Sequence, residues 1–434
     1  MPKKPELHVR TLALYAVSLL FLLFQLYQVL FTGMHPMIST PLHLVFSLAV
    51  IFLDAPLDKQ GKTLWKKLLD ILLLVLLAID LFYILSQTDR LTSRIQYLSP
   101  VTAFDIVETQ LCYLLVDEDP TYIERLWQKM YCGARGERSI QAAYSMPDYL
   151  RGGQTMAAIS AIDIALWDIL GKSMGQPVYK LLGACRDRVK AYASGGWETA
   201  DKIGQEVQEY TKKGFRAVKI RAEGKEGSFR IESSIQRVAA VRAAVGPEID
   251  IFVDAHGSLD FSTAERYAHE LEKYQVGWLE EPITPEDYES LARLRAKTSV
   301  PIATGEREIL RFGFLHLAQQ GIDVLQPDLS LAGGITEGRR IAAVAAAYHT
   351  KIATHNWGNP LLVAASLHFA LSQPNYYLFE VGQSSSPLMT QALKEPFDIR
   401  DGYIYPNDKP GFGVEFREDF FENYPFVPGP DFIS

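Results

Sequence analysis

Asp254, Glu280 and Glu306 stand at the ends of three successive strand-like runs, 249–254, 276–280 and 301–306, at equal intervals of 26 residues. One strand plus the helix that returns the chain to the next strand occupies about that length in a (β/α) barrel. Carboxylates that close successive strands of such a barrel converge on one rim. Hard oxygen ligands converging there suit Mg²⁺, which keeps waters and open positions for a substrate. Glu281 competes with Glu280 for the middle place. Neighbours on a strand point to opposite faces, so only one of the two can join the cluster.

These runs belong to a longer series. Strand-like stretches at Val189–Ser194, Ala217–Arg221, 249–256, 276–282, 301–306, 324–328, 351–355 and 376–380 alternate with helical patterns. Eight such runs predict an α/β fold, a closed parallel (β/α)7β TIM-like barrel rather than an open sheet. Seven of the eight end on a titratable residue: Arg221, His256, Glu280, Glu306, Asp328, His355 and Glu380. Chemistry in such barrels sits at strand C-terminal ends, and structural burial alone would not produce so regular a placement. Upstream, the spacing of Ile159, Ile162, Ala165, Leu166 and Ile169 predicts a long helix over 157–174. Asp163 and Asp168 on that helix, and His316, His349 and His368 on later helical stretches, are expected to be structural.

The 434-residue chain carries a formal charge of −8 and no basic stripe, which argues against a nucleic-acid partner. Its three cysteines, Cys112, Cys132 and Cys185, build neither a disulfide framework nor a zinc site. The composition changes along the chain. Residues 11–53 contain no Asp, Glu, Lys or Arg. The 11–31 run is long enough to cross a bilayer, 41–53 is a shorter candidate, and 68–85 is a third, interrupted by Asp70 and Asp80. Two or three membrane helices are therefore expected before the barrel. The basic clusters Lys3, Lys4, Arg10 and Lys59, Lys62, Lys66, Lys67 place the loops, and with two spans the barrel, on the cytoplasmic side of a membrane.

Six stretches carry a family resemblance: Ala165-Leu166-Trp167-Asp168-Ile169, Val253-Asp254-Ala255-His256-Gly257, Leu279-Glu280-Glu281-Pro282, Thr304-Gly305-Glu306-Arg307, Gln326-Pro327-Asp328 and Gly333-Gly334-Ile335-Thr336-Glu337. In this order and spacing, 106–397 resembles the enolase superfamily, in its mandelate racemase subgroup of acid-sugar dehydratases and racemases. Residues 1–105 resemble the N-terminus of a fused TRAP-type transporter permease, on Phe24-Gln25-Leu26-Tyr27, Pro41-Leu42-His43-Leu44-Val45-Phe46 and Leu98-Ser99-Pro100.

The first resemblance implies a reaction that begins with loss of the proton α to a carboxylate, and Asp254, Glu280 and Glu306 as Mg²⁺ ligands. A divalent ion stabilises the resulting dianion as a Lewis acid. His355 fits the base, with Asp328, 27 residues earlier, fixing its tautomer and raising its basicity. Lys219 and Arg221 are expected to hold and neutralise the substrate carboxylate. Arginine stands where the family often has a second lysine base, and a guanidinium stays protonated, which disfavours racemisation. His256, in an Asp-x-His pattern, resembles a general acid for a departing hydroxide. Glu380 resembles a carboxylate that hydrogen-bonds the substrate or its enolate, and the loop 355–360 frames the pocket.

The expected organisation is a hydrophobic membrane segment over 1–105, a partial helical cap over 106–187 lacking the family's first strands, the barrel over 188–400 and a C-terminal tail over 401–434. The expected function is a Mg²⁺-dependent dehydratase that turns an aldonate or aldarate into a 2-keto-3-deoxy acid. The alternatives are a catalytically impaired membrane fusion protein and a racemase or epimerase of a 2-hydroxy acid. The expected partners are a small sugar acid and the membrane; a homo-oligomer through the barrel is left open.

Overall fold

Eight short strands, each followed by a chain reversal, build the centre of the molecule. The computed structural model describes residues 103–143, 147, 152–225 and 229–425. The strands are β1 (Val189–Ser194), β2 (Ala217–Arg221), β3 (Asp250–Asp254), β4 (Trp278–Glu280), β5 (Ile302–Thr304), β6 (Val324–Leu325), β7 (Lys351–Ile352) and β8 (Phe379–Gly382). Neighbours from β1 to β7 pair in parallel, and β8 returns to lie parallel to β1. A bridge between Ile352 and Tyr376 links β7 to the segment entering β8 and closes the barrel. The ladders are shorter than the sequence runs because the chain leaves them at the rim. Asp328 and His355 each lie three residues beyond the last paired residue of β6 and β7. A hairpin of β9 (Asp398–Arg400) and β10 (Tyr403–Tyr405) pairs antiparallel with the start of β1, so a boundary at 400/401 falls inside one hairpin.

The barrel interior follows from the two-residue period of its strands. One buried side chain from each of the eight staves, Tyr192, Ala217, Phe252, Trp278, Ala303, Val324, Ala353 and Leu378, forms a single apolar cluster. Phe252 and Trp278 stack with ring centroids 3.6 Å apart, and Tyr192 meets both edge-on. The alanines leave room for these rings. Two residues further along each stave, the same face carries Ser194, Lys219, Asp254, Glu280, Gly305, Gln326, His355 and Glu380. An apolar floor therefore lies beneath a polar layer. A second, larger apolar core lies between the strands and the surrounding helices.

A helical cap rests against the later half of the barrel. Its helices include a run from Ala103 to Leu115 with a π-turn at Val107–Leu111, then Ile123–Cys132 and Gln154–Ser173. Ile106, Leu111, Trp127, Met130, Met156 and Ile159 pack together with Leu310 of the barrel. Polar contacts then fix the docking onto the helix Gly334–Ala347. Trp127 Nε1 donates to the Gly333 carbonyl at 2.9 Å, Trp167 Nε1 to Thr336 Oγ1 at 3.0 Å, and the Thr336 amide to Asp163 Oδ2 at 3.0 Å. Gly334 has φ +77, and a Cβ there would come within 2.3 Å of Asp163 Oδ2, so no larger residue fits.

Asp163 and Asp168 have structural partners. Asp168 Oδ1 accepts the Phe412 amide at 2.8 Å. Asp163 is fully buried, and burial pushes its carboxyl up to about 7 despite the Thr336 hydrogen bonds. Its folded value lies above its unfolded value, so its contribution to stability is complete below about pH 4 and is lost as pH rises through about 7. Asp163→Asn keeps an acceptor for the Thr336 amide but does not ionise. Relative to the wild type, this variant should gain on the order of a few kcal/mol between pH 4 and pH 8. Urea unfolding at the two pH values measures the difference, and a gap independent of pH would remove the assignment.

The two or three membrane helices expected before the barrel fall outside the described residues. No helix among the described residues is long and apolar enough to cross a membrane. The longest, Gln154–Ser173, carries Asp163, Asp168 and Lys172 and docks on the barrel. The runs 11–31, 41–53 and 68–85, the transporter-like stretches and the stretch where the family's first cap strands are expected to be missing all lie outside the described residues.

Candidate metal centre and catalytic dyad

Asp254 and Glu280 close β3 and β4, and Glu306 lies two residues beyond β5. One carboxylate oxygen from each falls within 4.8 Å of the others. Gly305 makes the turn into Glu306 at φ +130, where a Cβ would meet the Phe314 ring at 2.8 Å. Glu280 is oriented by two donors to its Oε2, Trp278 Nε1 at 3.0 Å and Gln326 Nε2 at 2.7 Å. The chain leaves β4 directly after it. Glu281, at φ +36, is buried in an ion pair with Arg307. Glu280, not Glu281, therefore belongs to the cluster.

Lys219 lies beneath the acids and is almost wholly buried. Its ammonium stands 2.5 Å from Glu280 Oε1, 2.8 Å from Glu380 Oε1 and 3.6 Å from Asp254 Oδ2. Burial pushes Glu280 up to about 7 even with Lys219 beside it, and also raises Glu306. Burial works against the charge of Asp254 and Glu380 as well. There Arg221 and Lys219, or Lys219 and His355, outweigh it and hold both carboxyls below the usual range. Four crowded carboxylates with two resident cations leave excess negative charge at a site of oxygen donors alone. That donor set fits a hard divalent ion.

His355 faces the same cluster. Its Nδ1 lies 2.8 Å from Asp328 Oδ2, and its Nε2 lies 3.7 Å from Glu306 Oε2. Asp328 is anchored in turn, its Oδ1 accepting from the Ser330 amide at 2.7 Å and hydroxyl at 2.5 Å. Burial opposes a charge on His355, but the Asp328 hydrogen bond and the nearby Glu306 and Glu380 raise it to about 9. Glu380 Oε2 accepts the Asn356 amide at 2.8 Å, which joins the His355 loop to β8.

Arg221 and His256 meet at Asp254. Arg221 Nη1 contacts Asp254 Oδ2 and lies 2.6 Å from His256 Nε2. A guanidinium only donates, so His256 Nε2 accepts and the ring is the neutral Nδ1–H tautomer. Burial, partly offset by Asp254, pulls His256 down to about 4. The sequence argument placed His256 beside Asp254 by strand alternation, but the strand has already ended. A turn with φ +49 at His256 brings the two together, its amide donating to Asp254 Oδ1 at 3.0 Å.

All nine sequence-derived site residues, Asp254, Glu280, Glu306, Asp328, His355, Lys219, Arg221, His256 and Glu380, gather at this end of the barrel. Sequence reasoning missed Trp278 and Gln326, which orient Glu280, and Trp197, which with Trp357 flanks Arg221. The two-residue spacing of Trp278 from Glu280 and of Gln326 from Asp328 was the available signal. Nothing in the sequence pointed to Trp197.

A parallel eight-strand barrel with an acid cluster and a His–Asp pair at its C-terminal rim defines a class of barrel enzymes. The comparisons narrow that class. Residues 202–420 match the family described as "Enolase C-terminal domain-like", and residues 92–183 match "Mandelate racemase / muconate lactonizing enzyme, N-terminal domain". A D-galactonate dehydratase of Pectobacterium atrosepticum is 37% identical over 323 residues, covering 71% of this chain and 81% of the relative. Another, of Xanthomonas oryzae pv. oryzae, is 37% identical over 325 residues, 72% of this chain and 82% of the relative. A member of the enolase superfamily from Polaromonas sp. JS666 superposes with a TM-score of 0.69 at 36% identity, covering 77% of this chain and 86% of that one. The chain belongs to the enolase superfamily, with the N- and C-terminal domains of its mandelate racemase and muconate lactonizing enzyme branch.

The expected location at a membrane is corrected by the same findings. The family's N-terminal domain begins at residue 92, inside the stretch assigned to a membrane segment. The curated relatives named above are D-galactonate dehydratases.

Proposed function

We propose that this chain is a Mg²⁺-dependent hydro-lyase that dehydrates an aldonate or aldarate to a 2-keto-3-deoxy acid. The observation that carries the reading is the orientation of His355, with Nδ1 on Asp328 and Nε2 turned toward the acid cluster. The D-galactonate dehydratases at 37% identity support the same class of reaction. We assign the cap to 106–187, the barrel to 188–400 and the tail to 401–434, with the β9–β10 hairpin joining the last two.

Asp254, Glu280 and Glu306 would hold Mg²⁺, which when bound supplies Lewis-acid stabilisation of the carboxylate as its α-carbon is deprotonated. His355 takes the α proton at Nε2, because Asp328 holds the other nitrogen as N–H. Lys219 offsets the buried acids from below. Glu380, held by the Asn356 amide, faces the enolate side. The electron pair of the broken C–H bond expels the β-hydroxyl as hydroxide, which leaves as water after protonation. We assign delivery of that proton to His256, which starts neutral and must first take a proton from solvent, while the α proton held by His355 returns to solvent. The enol product then becomes the keto acid. A second base for racemisation is lacking at Arg221, because its guanidinium stays charged.

A panel of aldonates and aldarates, D-galactonate included, tests the reading with Mg²⁺ and semicarbazide to trap keto acids. We expect semicarbazone formation with at least one acid, abolished by EDTA. In D₂O, deuterium at the α-carbon would report proton abstraction alone. If no acid is consumed and no deuterium enters, the proposal is wrong.

A further inference from the structure

We propose that Glu206 and Arg237 are positioning residues that act through Trp197: together they clamp the loop after β1 so that its indole fixes the ring of His256. The inference rests on the reading of the chain as a dehydratase in which His256 protonates the departing hydroxyl.

The loop runs from Gly195 to Glu198, and charged side chains hold its backbone from two sides. Glu206 lies in the first turn of the helix Ile203–Lys212. Its Oε1 accepts the amides of Gly196 at 3.0 Å and Trp197 at 3.4 Å, and its Oε2 accepts that of Glu198 at 3.1 Å. The Tyr210 hydroxyl donates to Oε1 at 2.7 Å and orients the carboxylate. From the other side comes the buried Arg237, on the helix Ile231–Val245. It donates to the carbonyls of Gly196 at 2.5 Å and Glu198 at 2.9 Å, and to that of Arg221, the last residue of β2, at 2.5 Å. The Trp197 carbonyl accepts the Lys225 amide at 3.0 Å. Hydrogen bonds to ionised groups are stronger than neutral ones, so three successive amides on one carboxylate and two carbonyls on one guanidinium leave the segment little freedom. Gly196 makes the turn at φ +71, where a Cβ would run into Ile220.

The side chain placed by this clamp is Trp197. Its indole lies nearly parallel to the His256 ring, with 21° between the planes and 6.5 Å between the centroids, and 4.8 Å from the central carbon of Arg221. His256 needs such a support. It follows β3 on a left-handed turn, so the strand does not set its ring, and its side chain is 30% exposed. Arg221 directs one ring edge through Nε2, and the indole covers one ring face. A proton donor must lie within hydrogen-bond reach of the departing oxygen. A misplacement of about 1 Å in such a group can cost on the order of 10²-fold in rate.

The test separates proton abstraction from elimination. In D₂O with Mg²⁺ and D-galactonate, or whichever acid of the panel the wild type deprotonates, deuterium at the α-carbon of recovered acid is compared with keto acid formed. Glu206→Gln sets an NH₂ group against the loop amides, and Arg237→Lys lacks the fork that reaches three carbonyls. We expect each of these, and Trp197→Ala, to raise the exchange-to-elimination ratio by about tenfold or more, because His355 still takes the proton while the hydroxyl is poorly protonated. A merely structural clamp would lower exchange and elimination together. Because Glu206 acts through Trp197, the double variant Glu206→Gln/Trp197→Ala should stay within about twofold of Trp197→Ala alone. An unchanged ratio in the single variants, or effects that multiply in the double, would overturn the proposal. NMR of the ligand-free protein at fixed pH gives a second readout that needs no turnover. The His256 ring protons, identified by their loss in His256→Gln, feel the ring current of Trp197. They should move in Glu206→Gln and Arg237→Lys in the direction that Trp197→Ala moves them, and signals that keep their wild-type positions would refute the clamp. The dehydratase reading fails separately, if the wild type neither exchanges nor eliminates with any acid while the His256 signals still respond.

Discussion

His355→Asn should lower kcat by a factor of about 10³ or more while leaving Mg²⁺ affinity close to that of the wild type. Asparagine fills similar space and can still hydrogen-bond Asp328, but it cannot take a proton. General-base removal typically costs about 10² to 10⁴ in rate. His355 is not one of the three clustered acids, so the ion site should persist. Asp328→Asn should cost less, about 10², because the imidazole remains but its tautomer is no longer enforced. The pH profile carries a second signature. The base form of His355 disappears as pH falls through its pKa, so kcat/KM should fall on the acidic side. The value near 9 is held up in part by Glu306 and Glu380. A dication that offsets those charges should lower it, which NMR titration of the ring with and without Mg²⁺ would detect. Turnover by His355→Asn at the wild-type rate would remove His355 as the base.

The second large effect is expected at Glu280. Glu280→Gln should weaken Mg²⁺ binding by about 10² or more and remove the Mg²⁺-dependent rise in melting temperature. Binding to the folded state alone stabilises it by RT ln(1 + [L]/Kd), so the thermal shift reads affinity without any need for turnover. The substitution is informative because of how Glu280 is held. A glutamine carbonyl can still accept from Trp278 and Gln326, so the backbone should stay in place. Its amide would then face the Lys219 ammonium, two donors where a salt bridge stood. The variant therefore loses a negative ligand and presents a repulsive contact. An Mg²⁺-dependent thermal shift equal to that of the wild type would sink the assignment of the triad. Asp254→Asn provides the control on the neighbouring strand.

Much of this centre was legible because a barrel imposes a metric on its sequence. The interval of 26 residues between Asp254, Glu280 and Glu306 is the length of one strand and its return helix. The same metric placed Asp328, His355 and Glu380 at the rim. It fails past the strand ends, where alternation no longer applies. His256 reaches Asp254 by a left-handed turn, and Glu281 turns away to Arg307 at φ +36. Hydropathy of the first hundred residues suggested membrane helices, and the family's N-terminal domain begins within that stretch.

The residue types and their intervals determined that acids and a histidine would meet at one end of a barrel, because strand period and repeat length are local properties of the chain. Tertiary structure alone decided which cation answers which anion. Lys219 faces three carboxylates, while Arg221 meets Asp254 and His256 between two indoles from separate loops. Those partners lie up to 161 positions apart in sequence, as Lys219 and Glu380 do, and only closure of β8 onto β1 brings them within hydrogen-bonding distance.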